Sequence, residues 1–227
     1  AHNLPKGNLY KLLNQTDAPL DQQRYQTPLG AKNGADHNWI ETSLTGFTPP
    51  DVVAANVNLD MWNRSHALCQ AVRHYDYWPN ANKNMAYYFE PVYTPQNGNR
   101  GRLWILPFDT DASWGPSWNN GEDVVYNALF ATSGGGGDAG TNPALWPAYF
   151  NAVREIRDLL FQPDQINPLI DESAAIIAPV IAADYARWKQ APADAGNYSG
   201  ITGPGMTSLA GLVQDMKNFA FTGGSWA

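Results

Sequence analysis

Residues 74–115 decide the fold of this chain, and they read HYDYWPNANKNMAYYFEPVYTPQNGNRGRLWILPFDTDASWG. Runs rich in aromatic and branched residues, Met85 to Phe89 and Leu103 to Leu106, stand on either side of a turn rich in Gly, Asn and Pro. Such a pattern predicts an antiparallel β-hairpin. The polar residues that flank the two runs are therefore expected at one end of that hairpin.

Four polar side chains flank the predicted hairpin. Asp76 and Asn84 precede its first strand, and Asp109 and Asp111 follow its second strand. Carboxylate and amide oxygens are the ligands that Mg²⁺ prefers, and they can hold the ion against a phosphate-bearing ligand. For phosphoryl transfer, Asp76 is the candidate base, and Asn84 and Asp109 are the candidate metal ligands. Asp111 is a candidate second metal ligand or a structural cap.

The acidic cluster is also compatible with roles that involve no catalysis. Aspartates at strand ends often cap turns, and an Asp-x-Asp pair can bind structural Ca²⁺. A glycoside hydrolase is disfavoured, because no Glu accompanies the cluster and Asp109 and Asp111 are neighbours on one turn. The chain contains nine Trp and eleven Tyr, and Trp114 and Trp118 near the acidic loop are candidates for sugar-stacking platforms.

Composition narrows the class of protein. The 227 residues are 44% apolar and only 15% charged, which indicates a globular chain rather than a disordered one. A net charge of -7 argues against nucleic acid as a partner, because phosphate backbones need a basic surface. The single cysteine, Cys69, rules out an internal disulfide and a Cys-based zinc site, and we expect it to be buried. No apolar run approaches ~20 residues, so no membrane span is predicted.

The first fifty residues are predicted to contain little regular structure. Asn8 to Leu13 is typical of a short strand, and the rest is rich in Gly, Pro, Asn and Gln apart from a helix-like patch at Trp39 to Leu44. A lone strand must pair with something. We expect its partners in sequence outside these 227 residues rather than in the hairpin.

A helix is predicted immediately before the acidic cluster. Asp60 is a good N-cap for a helix from Met61 to about Arg73, which delivers Asp76 just past its C-terminal end. Its apolar stripe is expected to comprise Met61, Ser65, Leu68, Cys69 and Val72. His66 and His74 are interpreted as hydrogen-bonded surface groups rather than metal ligands.

The last third is helical in pattern. Helices are predicted from Pro143 to about Leu160, from Gln165 to Gln190 and from Met206 to Phe221. Pro168 and Pro179 interrupt the second run, and each is expected to end or kink the helix. These helices are expected to pack beneath the hairpin. The glycine-rich residues 133–138 indicate a linker, because they lack the Lys-Ser/Thr ending of a phosphate loop.

The chain resembles the spore coat protein H (CotH) family of atypical protein kinases. The resemblance rests on Asp76, on the run Asn84 to Tyr88, and on the strand and turn from Trp104 to Gly115. Asn8 to Lys11 and Asp184 to Trp188 are similar to further landmarks of the family. The likeness thus spans nearly the whole chain, and its most specific part lies between Asp76 and Gly115.

The resemblance implies an α+β, protein-kinase-like C-lobe that is mainly helical and carries the catalytic hairpin. It implies that Asp76 accepts the substrate hydroxyl proton, that Asn84 and Asp109 bind Mg²⁺ and ATP, and that Asp111 supports them. Ca²⁺ or Mn²⁺ are alternatives to Mg²⁺. The implied reaction is phosphoryl transfer to Ser or Thr of a secreted or cell-surface protein, so the expected location is extracellular or at the cell surface.

The sequence departs from the family pattern in two ways. The interval from Asp76 to Asn84 is eight residues rather than the usual five, so Asn80 and Asn82 are alternative metal ligands. The N-lobe with its ATP-positioning lysine is expected to precede Asn8 and is largely missing. We therefore expect residues 1–50 to be a remnant of the N-lobe and hinge. Residues 51–227 would form the C-lobe, with a catalytic hairpin region over 51–130 and a helical tail over 143–227.

These departures leave two functional hypotheses. An isolated C-lobe lacks the phosphate clamp that positions ATP, so activity is expected to need an N-lobe, which a second chain could supply. The alternative is a non-catalytic extracellular module. It would be either a pseudokinase scaffold or a Ca²⁺-dependent carbohydrate-binding protein.

Overall fold

The computed structural model describes residues 7–12, 20–23, 48–74, 85–108, 110, 113–114, 143–188 and 208–222. Within these residues the protein combines helices with one small antiparallel sheet, which is compatible with the predicted α+β class. The strands are β1 (Asn8–Leu12), β2 (Leu20–Gln23), β3 (Met85–Glu90) and β4 (Arg102–Pro107). The helices are α1 (Pro50–Asn56), α2 (Leu59–Ala71), α3 (Trp146–Leu159), α4 (Pro163–Trp188) and α5 (Leu209–Thr222).

The predicted hairpin is confirmed as the antiparallel pair β3 and β4, which are aligned from Glu90 opposite Arg102 to Met85 opposite Pro107. Its connection begins with a capping box, in which Thr94 and Asn97 exchange side-chain and backbone hydrogen bonds around a short 3₁₀ turn. Gly101 leads into β4 with a φ of 92°, and a Cβ on it would lie 2.7 Å from the carbonyl oxygen of Glu90. Only glycine fits this turn without strain.

The expectation that β1 pairs outside this chain is wrong. The sheet order is β2-β1-β3-β4, and β1 runs antiparallel to β3 with Tyr10 opposite Tyr87. Tyr10 is fully buried and makes an edge contact with Phe89 at a centroid distance of 5.7 Å. Burying this ring against the hairpin therefore places β1 in the hairpin's own sheet. The other neighbour of β1 is β2, whose sequence Leu-Asp-Gln-Gln shows no strand alternation and was not predicted.

Helix α2 begins two residues before the predicted start, and the N-cap assignment to Asp60 is wrong. Asn58 provides the cap, because its Oδ1 accepts a hydrogen bond from the Met61 amide at 3.2 Å. Asp60 lies in the first turn and pairs with Arg64 at 2.9 Å. The buried face also differs from the predicted stripe, since Trp62 and His66 are buried whereas Leu68 is 40% exposed.

Helix α1 was not predicted, although its sequence carries a start signal. Pro50 occupies its first turn directly after Pro49, and Asp51 follows, which is favourable at a helix N-terminus. At seven residues the helix is too short for periodicity to reveal it. Its last residue, Asn56, accepts a hydrogen bond from the Arg100 guanidinium at 3.2 Å, which connects α1 to the turn between β3 and β4.

The three C-terminal helices occur where the sequence predicts them. The first begins as a 3₁₀ turn over Pro143–Leu145 and continues as α3. Helix α4 runs unbroken through Pro168 and Pro179, so neither proline ends it. Each proline removes one backbone donor, but the many alanines around Pro179 favour the helix.

Two compact units divide the chain, and each has its own apolar core. The first comprises residues 1–69, 76–110 and 125–153, and the second comprises 70–75, 111–124 and 154–227. The core of the first unit joins the sheet to α1 and α2 through Tyr10, Val53, Val57, Trp62, Cys69, Tyr87, Phe89, Leu103, Ile105 and Leu145. The core of the second unit comprises Ala71, Val72, Phe161, Ile166, Ile170 and Ala220.

Candidate catalytic and metal-binding site

The predicted site residues Asp76, Asn84, Asp109 and Asp111 lie outside the described residues. Asn80 and Asn82, the alternative ligands, lie outside them as well. The structure does describe residues that adjoin two of these positions in sequence. Met85 follows Asn84 directly, and Phe108 and Thr110 flank Asp109.

One end of the hairpin carries two of the predicted ligand positions. The hairpin ladder closes with Met85 opposite Pro107. From this pair the chain leads by one residue to position 84 and by two residues to position 109. Both positions therefore adjoin, along the chain, the same terminal residue pair of the hairpin. A shared metal site is predicted on this basis.

Core packing fixes the register of this pair. The inward-facing residues Tyr87, Phe89, Leu103 and Ile105 are all buried in the core of the first unit. A slip of one residue would turn every one of these side chains to the opposite face of the sheet. Leu103 also accepts a backbone hydrogen bond from Asn58 at 2.8 Å, and Val57 forms a parallel bridge to it. The segment between α1 and α2 thereby holds the outer edge of β4.

A second group of residues adjoins the site along the chain, within the second unit. The Trp114 amide donates a hydrogen bond to the Val72 carbonyl oxygen at 2.7 Å. The Trp114 ring stacks on Phe161 at 6.0 Å and meets Phe219 edge-on at 6.3 Å. The Arg73 guanidinium lies 5.8 Å from the centre of the Phe219 ring. We name Arg73, Trp114, Phe161 and Phe219 the aromatic clamp.

The aromatic clamp includes two residues, Arg73 and Trp114, that lie close in sequence to predicted site residues. Arg73 precedes Asp76 by three residues, and Trp114 follows Asp111 by three residues. The sequence pattern made Trp114 a candidate sugar platform, but its ring packs against other aromatic rings. Trp118, the other candidate platform, lies outside the described residues.

The histidines near the site differ from the prediction. His66 and His74 are both fully buried, so their assignment to the surface is wrong. His66 stacks on Trp62 at 4.8 Å, and its Nδ1 donates to the Trp62 carbonyl oxygen at 2.9 Å. Because a carbonyl can only accept, this contact places a proton on Nδ1. Within the described part of the chain, no three His, Cys, Asp or Glu side chains converge as a metal site.

Cys69 is buried as predicted and belongs to the core of the first unit. Burial raises the pKa of its thiol far above the ordinary value, because the thiolate would lose its hydration. A cysteine in this environment is an inert core residue rather than a nucleophile.

Comparison with known proteins places these observations in a family. Residues 6–221 match the family model described as CotH kinase protein. The match covers nearly the whole chain, including the hairpin and, apart from Thr222 at the end of α5, the helices described above. A search of curated proteins finds no significant match.

Proposed function

The chain belongs to the CotH kinase family, and from this premise we propose that it carries the phosphoryl-transfer region of an ATP- and Mg²⁺-dependent protein kinase. The observation that supports this most directly is the pairing of Met85 with Pro107 at the end of the hairpin, because positions 84 and 109 both adjoin this pair along the chain. The family match supports a kinase-like function in general.

Three side chains divide the chemistry in this proposal. Asp76 accepts the proton of the acceptor hydroxyl, as the catalytic-loop aspartate of a kinase does. Asn84 and Asp109 offer one amide oxygen and one carboxylate, a donor set that suits a hard cation that keeps several waters. Asp111 acts in support. A bound complex of Mg²⁺ and ATP supplies the transferable phosphoryl group.

We further propose that these residues form a C-lobe whose activity depends on an N-lobe. Kinase catalysis consists mainly of positioning and electrostatic stabilisation, and the N-lobe provides the lysine that holds the phosphates. We assign this role to neither Lys6 nor Lys11, and in this proposal upstream sequence or a second chain supplies the N-lobe. The proposed acceptor is Ser or Thr of an extracellular or cell-surface protein.

Nucleotide binding tests the proposal. We expect calorimetry to detect Mg²⁺-dependent binding of ATP to the full-length protein, and we expect Asp109→Ala to weaken it at least about tenfold, since a metal ligand is lost. Asp60→Asn is the matched control, because Asp60 is an exposed carboxylate on α2 whose partner is Arg64. This control should bind nucleotide as the unaltered protein does.

The same titration separates the proposed function from its alternative. If the full-length protein binds no nucleotide with Mg²⁺ or Mn²⁺, but binds oligosaccharides in a Ca²⁺-dependent way, the kinase proposal is wrong and the binding module takes its place. If Asp109→Ala binds nucleotide as tightly as the unaltered protein, the assignment of the metal site to the hairpin end is wrong.

A further inference from the structure

Helix α4 extends far beyond the part of it that packs in the core of the second unit. Ile166 and Ile170 near its N-terminus are buried in that core, and Asp171 pairs with Lys217 of α5 at 2.6 Å. Beyond this point Ile176 is 72% exposed, Val180 58% and Ile177 45%, whereas Ile181 is half-buried. The second half of α4 thus presents apolar residues to solvent.

The sequence of this half is unsuited to an uncovered helix in water. Residues 173–183, between Glu172 and Asp184, include no charged side chain, and all but Ser173 are Ala, Ile, Val or Pro. A solvated helix normally carries charged residues on its outer face, and exposed apolar patches mark interaction sites. We therefore expect another surface to cover this part of α4.

A bilayer fits this surface poorly. The 22 residues of Pro163–Asp184 are long and apolar enough to be a candidate membrane span. The uncharged stretch of 11 residues, however, is only about 16 Å long at 1.5 Å per residue, roughly half of the ~30 Å hydrocarbon layer. A longer span would bury the carboxylates of Asp171, Glu172 and Asp184, which is costly. These acidic flanks also disfavour anionic lipid surfaces.

One stripe along α4 is complementary to itself. Its members share one side of the helix, because each has another member three or four residues away: Glu172, Ile176, Pro179, Val180, Ala183 and Arg187. We call this set the α4 stripe. It carries an acidic residue at one end, a basic residue at the other end, and apolar residues between them.

We propose that the α4 stripe pairs with the same stripe of a second copy of this chain, antiparallel, about a two-fold axis near residues 179 and 180. In this arrangement Glu172 faces Arg187 of the partner subunit, and the two-fold axis repeats the pair at the opposite end. The large side chain of Ile176 faces the small side chain of the partner's Ala183. Small residues opposite large ones let two helices approach to about 8–10 Å.

The parallel alternative is less favourable on the same grounds. Two α4 stripes aligned in parallel and in register would set Glu172 against the partner's Glu172 and Arg187 against the partner's Arg187. Like charges that face each other are destabilising. Antiparallel helices also align their dipoles favourably. Charge and side-chain size therefore favour the same antiparallel pairing.

Self-association is measured by sedimentation velocity or light scattering over a range of concentrations. We expect the unaltered chain to form dimers at or below about 100 µM, and we expect Ile176→Glu to abolish them by placing a charge in the contact. Leu159→Glu is the matched control, because Leu159 on α3 is 66% exposed and lies outside the α4 stripe. This control should dimerise normally, and circular dichroism should show both variants folded.

Charge exchange tests the register. Glu172→Arg and Arg187→Glu should each weaken dimerisation by at least about fivefold, and the double variant should restore it, because each reversal is repaired only by the other. When dissolved oxygen is the oxidant, chains with Ile176→Cys should form disulfides with chains that carry Ala183→Cys. Cys69 is buried and should not compete for these disulfides.

Three results would overturn the proposal. The first is a chain that stays monomeric up to about 100 µM. The second is a dimer that Ile176→Glu leaves intact. The third is a monomer that sediments with phosphatidylcholine or phosphatidylserine vesicles and loses this binding with Ile176→Glu, which would assign the stripe to a lipid surface.

Discussion

Arg73 and Trp114 are two non-glycine residues with left-handed backbones, at φ values of 49° and 64°. For a residue with a Cβ this conformation costs on the order of 1–2 kcal/mol, so surrounding contacts must maintain it. Those contacts are the backbone bond from Trp114 to Val72 and the packing of the aromatic clamp. Strain of this kind is often found next to functional sites. Both residues lie within three positions of a predicted site aspartate.

Replacing Trp114 tests whether the aromatic clamp positions the site. Trp114→Ala should lower the free energy of unfolding by about 3 kcal/mol, because the stacking on Phe161 is lost and the strain is kept. Trp114→Phe should retain most of the stability, because a ring remains against Phe161. Denaturant unfolding measures both effects.

If the aromatic clamp positions the site, replacing Trp114 should also change nucleotide binding. At a temperature where both variants are folded, Trp114→Ala should weaken Mg²⁺-dependent nucleotide binding by the full-length protein, and Trp114→Phe should restore it. If Trp114→Ala destabilises the fold but leaves nucleotide affinity unchanged, the clamp is purely structural.

At the scale of elements, the hairpin depends on its turn as much as on its strands. The capping box at Thr94 and Asn97 and the positive φ values of Gly98 and Gly101 reverse the chain between β3 and β4. Cross-strand contacts then stabilise the start of β4, where Arg102 lies opposite Glu90 and the Trp104 indole donates to the Glu90 carboxylate at 3.1 Å. The pair of Met85 and Pro107, which adjoins positions 84 and 109 along the chain, lies at the opposite end of these strands.

Gly101→Ala should destabilise the protein by about 2–3 kcal/mol. The reason is that the substitution adds backbone strain at a φ of 92° and places a Cβ 2.7 Å from a carbonyl oxygen. The same change in a helix, Gly211→Ala in α5, should be neutral or stabilising, because alanine favours helices. Denaturant unfolding of the two variants should therefore give effects of opposite sign or clearly different size. Equal effects would show that the turn tolerates a side chain.

At the scale of the whole molecule, stability should depend on pH through buried acidic groups. Burial raises the pKa of the Cys69 thiol from its ordinary value of 9.0. Burial also raises the pKa of Tyr88, and the nearby Glu90 carboxylate adds to this shift. At pH values below the ordinary pKa of the thiol, both groups are protonated in the folded and the unfolded chain, so they contribute no pH dependence. At higher pH the unfolded chain releases protons that the folded chain retains, which favours unfolding.

Cys69→Ala should therefore flatten the alkaline part of the stability curve. For the unaltered protein, the thiol lowers the free energy of unfolding by up to about 1.4 kcal/mol for each pH unit above its unfolded pKa. The variant loses this slope but should be less stable near neutral pH, because a small cavity replaces the thiol. Urea unfolding between about pH 8 and pH 11 measures both slopes. Parallel curves would contradict the prediction.

The sequence predicted the burial of some residues correctly and of others incorrectly. Cys69 was predicted to be buried because a small apolar residue in a helical pattern usually is. His66 and His74 were predicted at the surface, and both are buried. Whether a polar ring is buried depends on which partners reach it. For His66 these partners are the Trp62 ring and the Trp62 carbonyl oxygen.

The sequence by itself determined the hairpin, the helix before it and the three C-terminal helices. It also determined the resemblance to the CotH family, which the family match over residues 6–221 confirms. These features depend on turn chemistry, strand patterns and helical periodicity, all of which act over a few neighbouring residues.

Tertiary structure alone decided which strand β1 joins and that β2 and α1 form. It also decided the left-handed backbone of Trp114, which no local preference of tryptophan favours. Each of these features is stabilised by contacts between residues that are distant in sequence, such as Tyr10 against Phe89 or Trp114 against Phe161. Such contacts exist only once the chain has folded, and local patterns therefore cannot specify them.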